Sequence, residues 1–471
     1  MSIKSTSETN NFIDDNEIWS NIEKAKNCDN KEILDILKKA EEAKGLTQYE
    51  TAALLMVKDK ELTQEIFKLA KRIKEKIYGN RIVIFVPLYI SNECGNICEY
   101  CAFRADNKEL KRKTLSFEEI KQEVAVVEKQ GHKRILAVYG ESPKYDVNWM
   151  VKGIEAIYET KTDPSGEIRR VNVNAAPMST EDFKILKSSQ IGTYQCFQET
   201  YHKKTYEKVH ISGKKKDYLY RLNALHRAQD AGIDDVAMGV LYGLFDPYYE
   251  TLAMLKHCEE LEAKYGVGPH TISFPRLEPA LGSYMSEHPP YLVDDDLFRK
   301  IVAVIRLAVP YTGMILSTRE SAELRHELIH LGVSQVSAGS KTSPGSYHES
   351  LTNIPDEQQF TIGDERNLDE VIYDLSQMNF VPSFCTSCYR LGRHGDHFMD
   401  MAKNLHIKNF CQPNAILTFS EYLEDYASPK TKQAGYEMVK RLLTEINSED
   451  LRKTVTEEVS QIKNGKRDIF H

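Results

Sequence analysis

A chain of 471 residues, 41% of them apolar, exceeds the roughly 250 to 300 residues that a single core usually serves, so one large domain with additions, or two domains, is expected. Its 62 basic and 70 acidic residues leave a net charge of -8, which argues against nucleic acid as the main partner and gives no polybasic signal for a membrane surface. The opening MSIKSTSETNNFIDDNE is polar and acidic, unlike a secretory signal, and no run of about 18 apolar residues occurs, so a cytoplasmic protein is expected. Six of the nine cysteines fall into two tight groups, which in a reducing compartment read as metal ligands before disulfides. Cys28, Cys196 and Cys258 read as small buried hydrophobes.

From about Asp14 to Tyr78, apolar residues recur at three- and four-residue spacings in IWSNIEKAK, KEILDILKKAEEA and TQYETAALLMV, which predicts a helical extension over residues 1–80. Thr47, with Glu50 three positions on, predicts an N-cap and capping box. From Arg81 short β-branched runs alternate with amphipathic helices, the pattern of a parallel sheet with helical crossovers. The expected strands are RIVIFVPLYIS, RILAVYGES, RRVNVNAAP, GTYQCFQET, DVAMGVLYGL, HTISFPRLEP, GMILSTRES and VSQVSAG, with helices at SFEEIKQEVAVVEKQ, STEDFKILKSS, KDYLYRLNALHRAQDA and DDDLFRKIVAVIRLA. Eight units across residues 81–345 fit an α/β fold, a (β/α)8 TIM-type barrel whose active site lies at the C-terminal ends of its strands. Residues 346–471 form a separate, mainly helical element: one helix near Leu368 to Met378, a cysteine-bearing stretch, and a final pair of helical runs.

The first cysteine group, Cys94, Cys98 and Cys101, reads C-x3-C-x2-C directly after the first strand. Three thiolates can wrap an iron-sulfur cube but ligate only three of its four irons, leaving one open. A structural zinc site needs a fourth protein ligand, and ordinary ferredoxin runs have other spacings and a fourth cysteine; zinc and an electron-transfer cluster stay open as alternatives. Tyr100 precedes the last cysteine, where a ring could lie beside a purine. This combination resembles the radical S-adenosylmethionine (SAM) enzymes, in which the open iron of a 4Fe-4S cluster is chelated by the amino and carboxylate groups of SAM. The resemblance implies that Gly140 and Glu141 offer a backbone edge to the SAM amino group, that Glu199 binds the ribose hydroxyls, and that Arg221 meets the SAM carboxylate, a task suited to a planar, permanently charged donor. Asn172 and Asn174 alternate inward on the third strand, and Gln198 precedes Glu199 at the end of the fourth. Each of these, taken singly, is also an ordinary rim polar residue.

A second group, Cys385, Cys388 and Cys411, is spaced C-x2-C-x22-C with Arg390, Arg393, His394 and His397 between. A zinc ribbon completed by His394 or His397 is an open reading. The stretch CTSCYRLGRHGDHFMD, together with PLYISNECGNICEYC, resembles the tyrosine lyase family of FeFe-hydrogenase maturation from about residue 45 to the C-terminus. The barrel alone also resembles the thiamine-pathway 2-iminoacetate synthases, through FQETYH (Phe197 to His202) and the segment Ser273 to Pro279; that relative lacks the second cysteine group.

The maturase resemblance implies a second, auxiliary 4Fe-4S cluster on Cys385, Cys388 and Cys411 with an additional labile iron held by His270. It implies cleavage of the Cα-Cβ bond of L-tyrosine to p-cresol and dehydroglycine, and conversion of that fragment to CO and cyanide. The implied partners are SAM and tyrosine, an electron donor such as ferredoxin or flavodoxin, and other hydrogenase maturases downstream. Arg319, in STRES, is the candidate for the tyrosine carboxylate, with Ser317, Ser337 and Ser340 as helpers; a surface ion pair of Arg319 with Glu320 or Glu323 is the alternative. An iron-sulfur carrier without SAM turnover is the competing function.

Overall fold

The computed structural model describes residues 10–349, 358–404 and 407–471, with the backbone alone at 408 and 409. Four helices precede the first strand: α1 (Asp15–Ala25), α2 (Asn30–Ala40), α3 (Gln48–Met56) and α4 (Lys60–Tyr78). Each begins on an oxygen-bearing cap, Asp14, Asp29, Thr47 or Asp59, that accepts from an otherwise unpaired backbone N–H. At α3 the Thr47 hydroxyl and Glu50 carboxylate satisfy each other's backbone, the capping box the sequence predicts.

Eight strands then run in order around a closed parallel barrel: β1 (Arg81–Ser91), β2 (Arg134–Tyr139), β3 (Arg170–Asn174), β4 (Tyr194–Gln195), β5 (Val236–Gly239), β6 (Thr271–Ser273), β7 (Gly313–Leu316) and β8 (Gln335–Ser337). Pairing of Val83, Ile84 and Phe85 with Gln335, Val336 and Ser337 closes the ring. The near-continuous burial of β1 explains its apolar sequence, since a barrel strand faces packed interior on one side and helices on the other. The crossover helix Phe117–Lys129 starts with a second capping box, Ser116 with Glu119.

A ninth strand, β9 (Val381–Ser383), was not expected. It pairs in parallel with Arg81, Ile82 and Val83, while β2 pairs with β1 only from Val86 onward. The eleven residues of β1 thus outlast β2 at their start, and β9 fills the edge left open there. Because Cys385 follows β9 by two residues, this pairing delivers the second cysteine group to the N-terminal end of the barrel.

Three expectations are corrected. GTYQCFQET forms a regular strand only at Tyr194–Gln195 and then continues beside β5 by single bonds, the Cys196 and Gln198 N–H groups donating to the Ala237 and Gly239 carbonyls and Glu199 bridging Val240. The helix expected from Lys216 breaks at Asn223 into Tyr218–Leu222 and Ala224–Asp230. The final pair of helical runs is three helices, Ile407–Asp425, Pro429–Thr444 and Glu449–Lys463, because Ser448 caps a new helix inside the second run. Among the described residues no helix is long and apolar enough to cross a membrane.

Candidate active site

The loop after β1 is pinned on three sides. Its Gly95 N–H donates to the Glu141 carbonyl at 2.7 Å, and the Asn96 carboxamide donates to the Glu141 carboxylate at 2.7 Å. Ile97 and Cys98 pair antiparallel with Ser212 and His210. Gly140 cannot be larger, since a Cβ there would come within 2.3 Å of the Glu93 carbonyl oxygen. The motif glycine and glutamate of β2 therefore also hold the cysteine loop in place.

Cys94, Cys98 and Cys101 all face one cavity of about 230 Å3 that enters the barrel from the C-terminal ends of the strands. Tyr100, Gly140, Glu141, Asn174, Glu199 and Arg221 line it too. The Tyr100 ring is buried, and its hydroxyl meets His210 Nε2 at 2.8 Å. Burial opposes ionisation of Glu199, yet Lys215, at 2.7 Å, and Arg221 outweigh it and hold the carboxyl below its ordinary value. A non-glycine residue at positive φ, as Glu199 is at 71°, costs about 1 to 3 kcal/mol and persists where the surroundings over-determine it; these two cations supply that restraint. Asn172 stands apart, its carboxamide oxygen accepting from the Thr193 N–H at 3.0 Å.

The same cavity reaches Ser317, Arg319, Ser337 and Ser340. Arg319 forms no ion pair with Glu320, which is buried and bound to Arg276. Its guanidinium instead lies 3.4 Å from the Phe360 ring centroid, and among the described residues no carboxylate stands within ion-pair distance. The hydroxyls of Ser337 and Ser340 are buried with no hydrogen-bond partner among the described residues. A half-buried cation and two orphaned hydroxyls in one polar recess suit an anionic, hydrogen-bonding ligand.

The second group lies at the opposite end of the barrel. Cys385, Cys388 and Cys411 face a smaller cavity of about 50 Å3, with His270, Arg81 and Tyr389 in its wall. Cys388 donates to Cys411, which raises the pKa of the first thiol; that hydrogen bond, against the opposing effect of burial and with help from Arg81 and Arg393, lowers the second to about 6. His270 Nε2 is 3.3 Å from the Tyr389 hydroxyl, and its Nδ1 is 3.5 Å from Asp235. Buried nitrogens of Arg81, Arg134, His270 and Arg393 and one carboxylate oxygen of Asp235 lack hydrogen-bond partners among the described residues, so the pocket has polar groups left for a ligand. His394 binds Asp234 at 2.8 Å and does not line the cavity.

Among the described residues no group of three or more His, Cys, Asp or Glu side chains converges where one metal ion could sit. In each triplet the thiols instead border a shared space, which suits the separated corners of a cube better than a mononuclear zinc. In the upper cavity the Gly140–Glu141 backbone, the cations and the aromatic wall fit SAM beside such a cube.

A model of the radical SAM superfamily matches residues 88–258, and a model of the Biotin and Thiamin Synthesis associated domain matches residues 273–381. The fold superposes with a TM-score of 0.94 on the crystal structure of HydG, a maturase of the [FeFe]-hydrogenase, at 50% identity over 98% of this chain and 100% of that one. HydG from Carboxydothermus hydrogenoformans gives 0.82 at 40% identity, covering 94% and 97% of the two chains. This chain belongs to the radical SAM family of HydG. The 2-iminoacetate synthase of Escherichia coli (strain K12) is 31% identical over 348 residues, 74% of this chain and 89% of that protein. As a radical SAM family member the chain is an enzyme whose family implies a 4Fe-4S cluster and SAM.

Several cavity residues escaped sequence reasoning. Lys215 sits in a lysine run that reads as solvated surface, yet its backbone N–H donates to Asn96 and its ammonium to Glu199. Gln359 comes from beyond the eighth strand to accept from the Tyr89 hydroxyl and approach Cys101 Sγ at 3.8 Å. Glu278, inside the PRLEP stretch, lines the cavity; burial, reinforced by Glu320 and opposed by Arg319, raises its pKa to about 7. Its folded-state pKa exceeds the ordinary 4.5, so its stabilising contribution is complete below that value and is lost as pH rises through about 7. This share of the thermal midpoint should therefore be lost between about pH 5 and 8, so the difference between parent and Glu278→Gln midpoints should change across that range. An identical slope in the variant would place the titration elsewhere.

Proposed function

We propose that this enzyme cleaves the Cα-Cβ bond of L-tyrosine to p-cresol and dehydroglycine, and that the fragment becomes CO and cyanide at an auxiliary 4Fe-4S cluster on Cys385, Cys388 and Cys411. The observation that carries the reading is the placement of two cysteine triplets at opposite ends of one barrel, each facing its own cavity. When bound, the first cluster and SAM supply a 5'-deoxyadenosyl radical. The chain's own part is to hold the reactants and exclude water. Gly140 and Glu141 would receive the SAM amino group, Glu199 the ribose and Arg221 the carboxylate, with Asn174 on the same wall. Phe85, Leu136, Val138 and Ile315 give the cavity apolar sides, which protect a radical and a hydrolysable imine from solvent. His270 would hold the additional iron at the lower cavity. Residues 1–80, 81–345 and 346–471 are proposed as the extension, barrel and auxiliary-cluster domain. Reduction by a ferredoxin or flavodoxin and transfer to further hydrogenase maturases complete the proposal.

Incubation with SAM, dithionite and tyrosine tests this reading. A maturase releases p-cresol and CO, a 2-iminoacetate synthase p-cresol alone, and an iron-sulfur carrier neither.

Arg319 is the proposed grip on the tyrosine carboxylate, its guanidinium being half-buried in the cavity wall and, among the described residues, without a carboxylate partner. Arg319→Ala should raise the KM for tyrosine on the order of 100-fold, as for a lost charge-assisted pair of about 3 kcal/mol, with little change in that for SAM. An unchanged tyrosine KM would assign the carboxylate to another residue.

A further inference from the structure

The segment Lys203–Lys216 carries six lysines and one glutamate in a chain of net charge -8. Lys215 is turned inward to Glu199. Lys203, Lys204, Lys208, Lys214 and Lys216 are exposed, and none has an ion-pair partner among the described residues. A solvated face explains exposure but not location. This segment is fastened directly to the first cysteine loop: His210 pairs with Cys98, the Glu99 N–H donates to the Val209 carbonyl at 3.0 Å, and the Lys215 N–H donates to Asn96 at 2.9 Å.

Two exposed apolar side chains belong to the segments that hold the cysteine loop. Ile211, between two residues of the strand paired with the loop, is 45% exposed, and Tyr284 is 76% exposed. Tyr284 adjoins Ser283, whose hydroxyl donates to the Glu99 carbonyl at 2.6 Å. Both segments thus bind the backbone of Glu99, the residue after Cys98. Cys98 is only 5% exposed, and the lysine-bearing segment is hydrogen-bonded directly to its loop, so a carrier docked there stands a few residues from a cluster ligand.

We propose that Lys208, Lys214 and Lys216, with Ile211 and Tyr284, form the docking face for an acidic one-electron carrier protein. This rests on the reading of Cys94, Cys98 and Cys101 as holders of a reducible cluster. Unpaired cations steer a partner of opposite charge and orient it, while the apolar side chains give the encounter dry contact. One electron passes from the reduced carrier to the cluster, the carrier being oxidised by one equivalent, and no bond forms or breaks in that step. Arg221 and Glu199 line the cavity, so docking leaves the SAM side free.

The test uses the reconstituted full chain with a purified acidic ferredoxin as probe. In the triple variant K208E/K214E/K216E, ferredoxin binding by fluorescence anisotropy should weaken about tenfold or more at low ionic strength. Cluster reduction by reduced ferredoxin should slow to match, whereas reduction by dithionite, which needs no docked surface, should equal the parent's. In the parent, ferredoxin-driven reduction should slow steeply as salt screens the pair. Lysine-to-arginine changes at the three sites should restore binding. The proposal is overturned if the triple variant, with parental iron content, binds ferredoxin like the parent, or if the parent's reduction rate ignores salt. A second variant, Ile211→Asp, adds a like charge against the acidic carrier and should weaken binding as well; parental binding there would also count against the face. If dithionite leaves the parent's cluster unreduced, the cluster reading fails and not the docking face.

Discussion

Cys98→Ala is expected to form no 5'-deoxyadenosine above background with SAM and dithionite. The three thiols of the upper cavity have no fourth cysteine to substitute for a lost ligand, since the other cysteine group lies at the far end of the barrel. Cys98 is also the most enclosed of the three, and burial pushes its thiol up to about 12. A thiol so buried ionises only when a cation accepts it, so its thiolate and the bound cluster stabilise each other. The variant should lose the iron of one cluster and the matching paramagnetic signal, while the lower site keeps its own. Lost activity with full iron content would give Cys98 a different task, and normal 5'-deoxyadenosine formation would refute the placement of the cluster.

Changing Cys385 and Cys388 together to serine should separate the two halves of the reaction, leaving p-cresol formation slowed but abolishing CO. Hydroxyls are hard donors where an iron-sulfur centre prefers thiolate, so the lower site should lose its cluster. The upper cavity, with Arg319, Ser337 and Ser340, contains none of these cysteines, so tyrosine can still meet the radical. His270→Ala should be milder. It removes the proposed ligand of the extra iron and spares the thiols, so CO should fall more than p-cresol. Parental CO release from the double variant would make the lower triplet structural and remove the main support for the maturase reading.

Local chemistry determined much of this protein from its sequence. The cap at Thr47, the alternation of β-branched runs with amphipathic helices, and C-x3-C-x2-C after an apolar strand are short-range signals, and each needs only neighbours within a few residues to be read. These gave the helical extension, the eight-stranded barrel and the cysteines of the upper cavity, while Gly140, Glu141, Glu199 and Arg221 followed only from the family resemblance. Whether Arg319 pairs with its neighbour was not legible, because the answer depends on Arg276, a residue from another strand end, which takes Glu320. Gln359 and Lys215 were equally hidden, since a polar residue in a polar stretch carries no mark of the cavity it will line. The placement of the second cysteine group was decided only by the tertiary structure. Val381–Ser383 is too short for its pattern to announce a strand, and it becomes one because β1 extends beyond β2 and leaves backbone groups that need partners. That single non-local pairing sets Cys385 beneath the barrel, opposite the cysteines that follow β1.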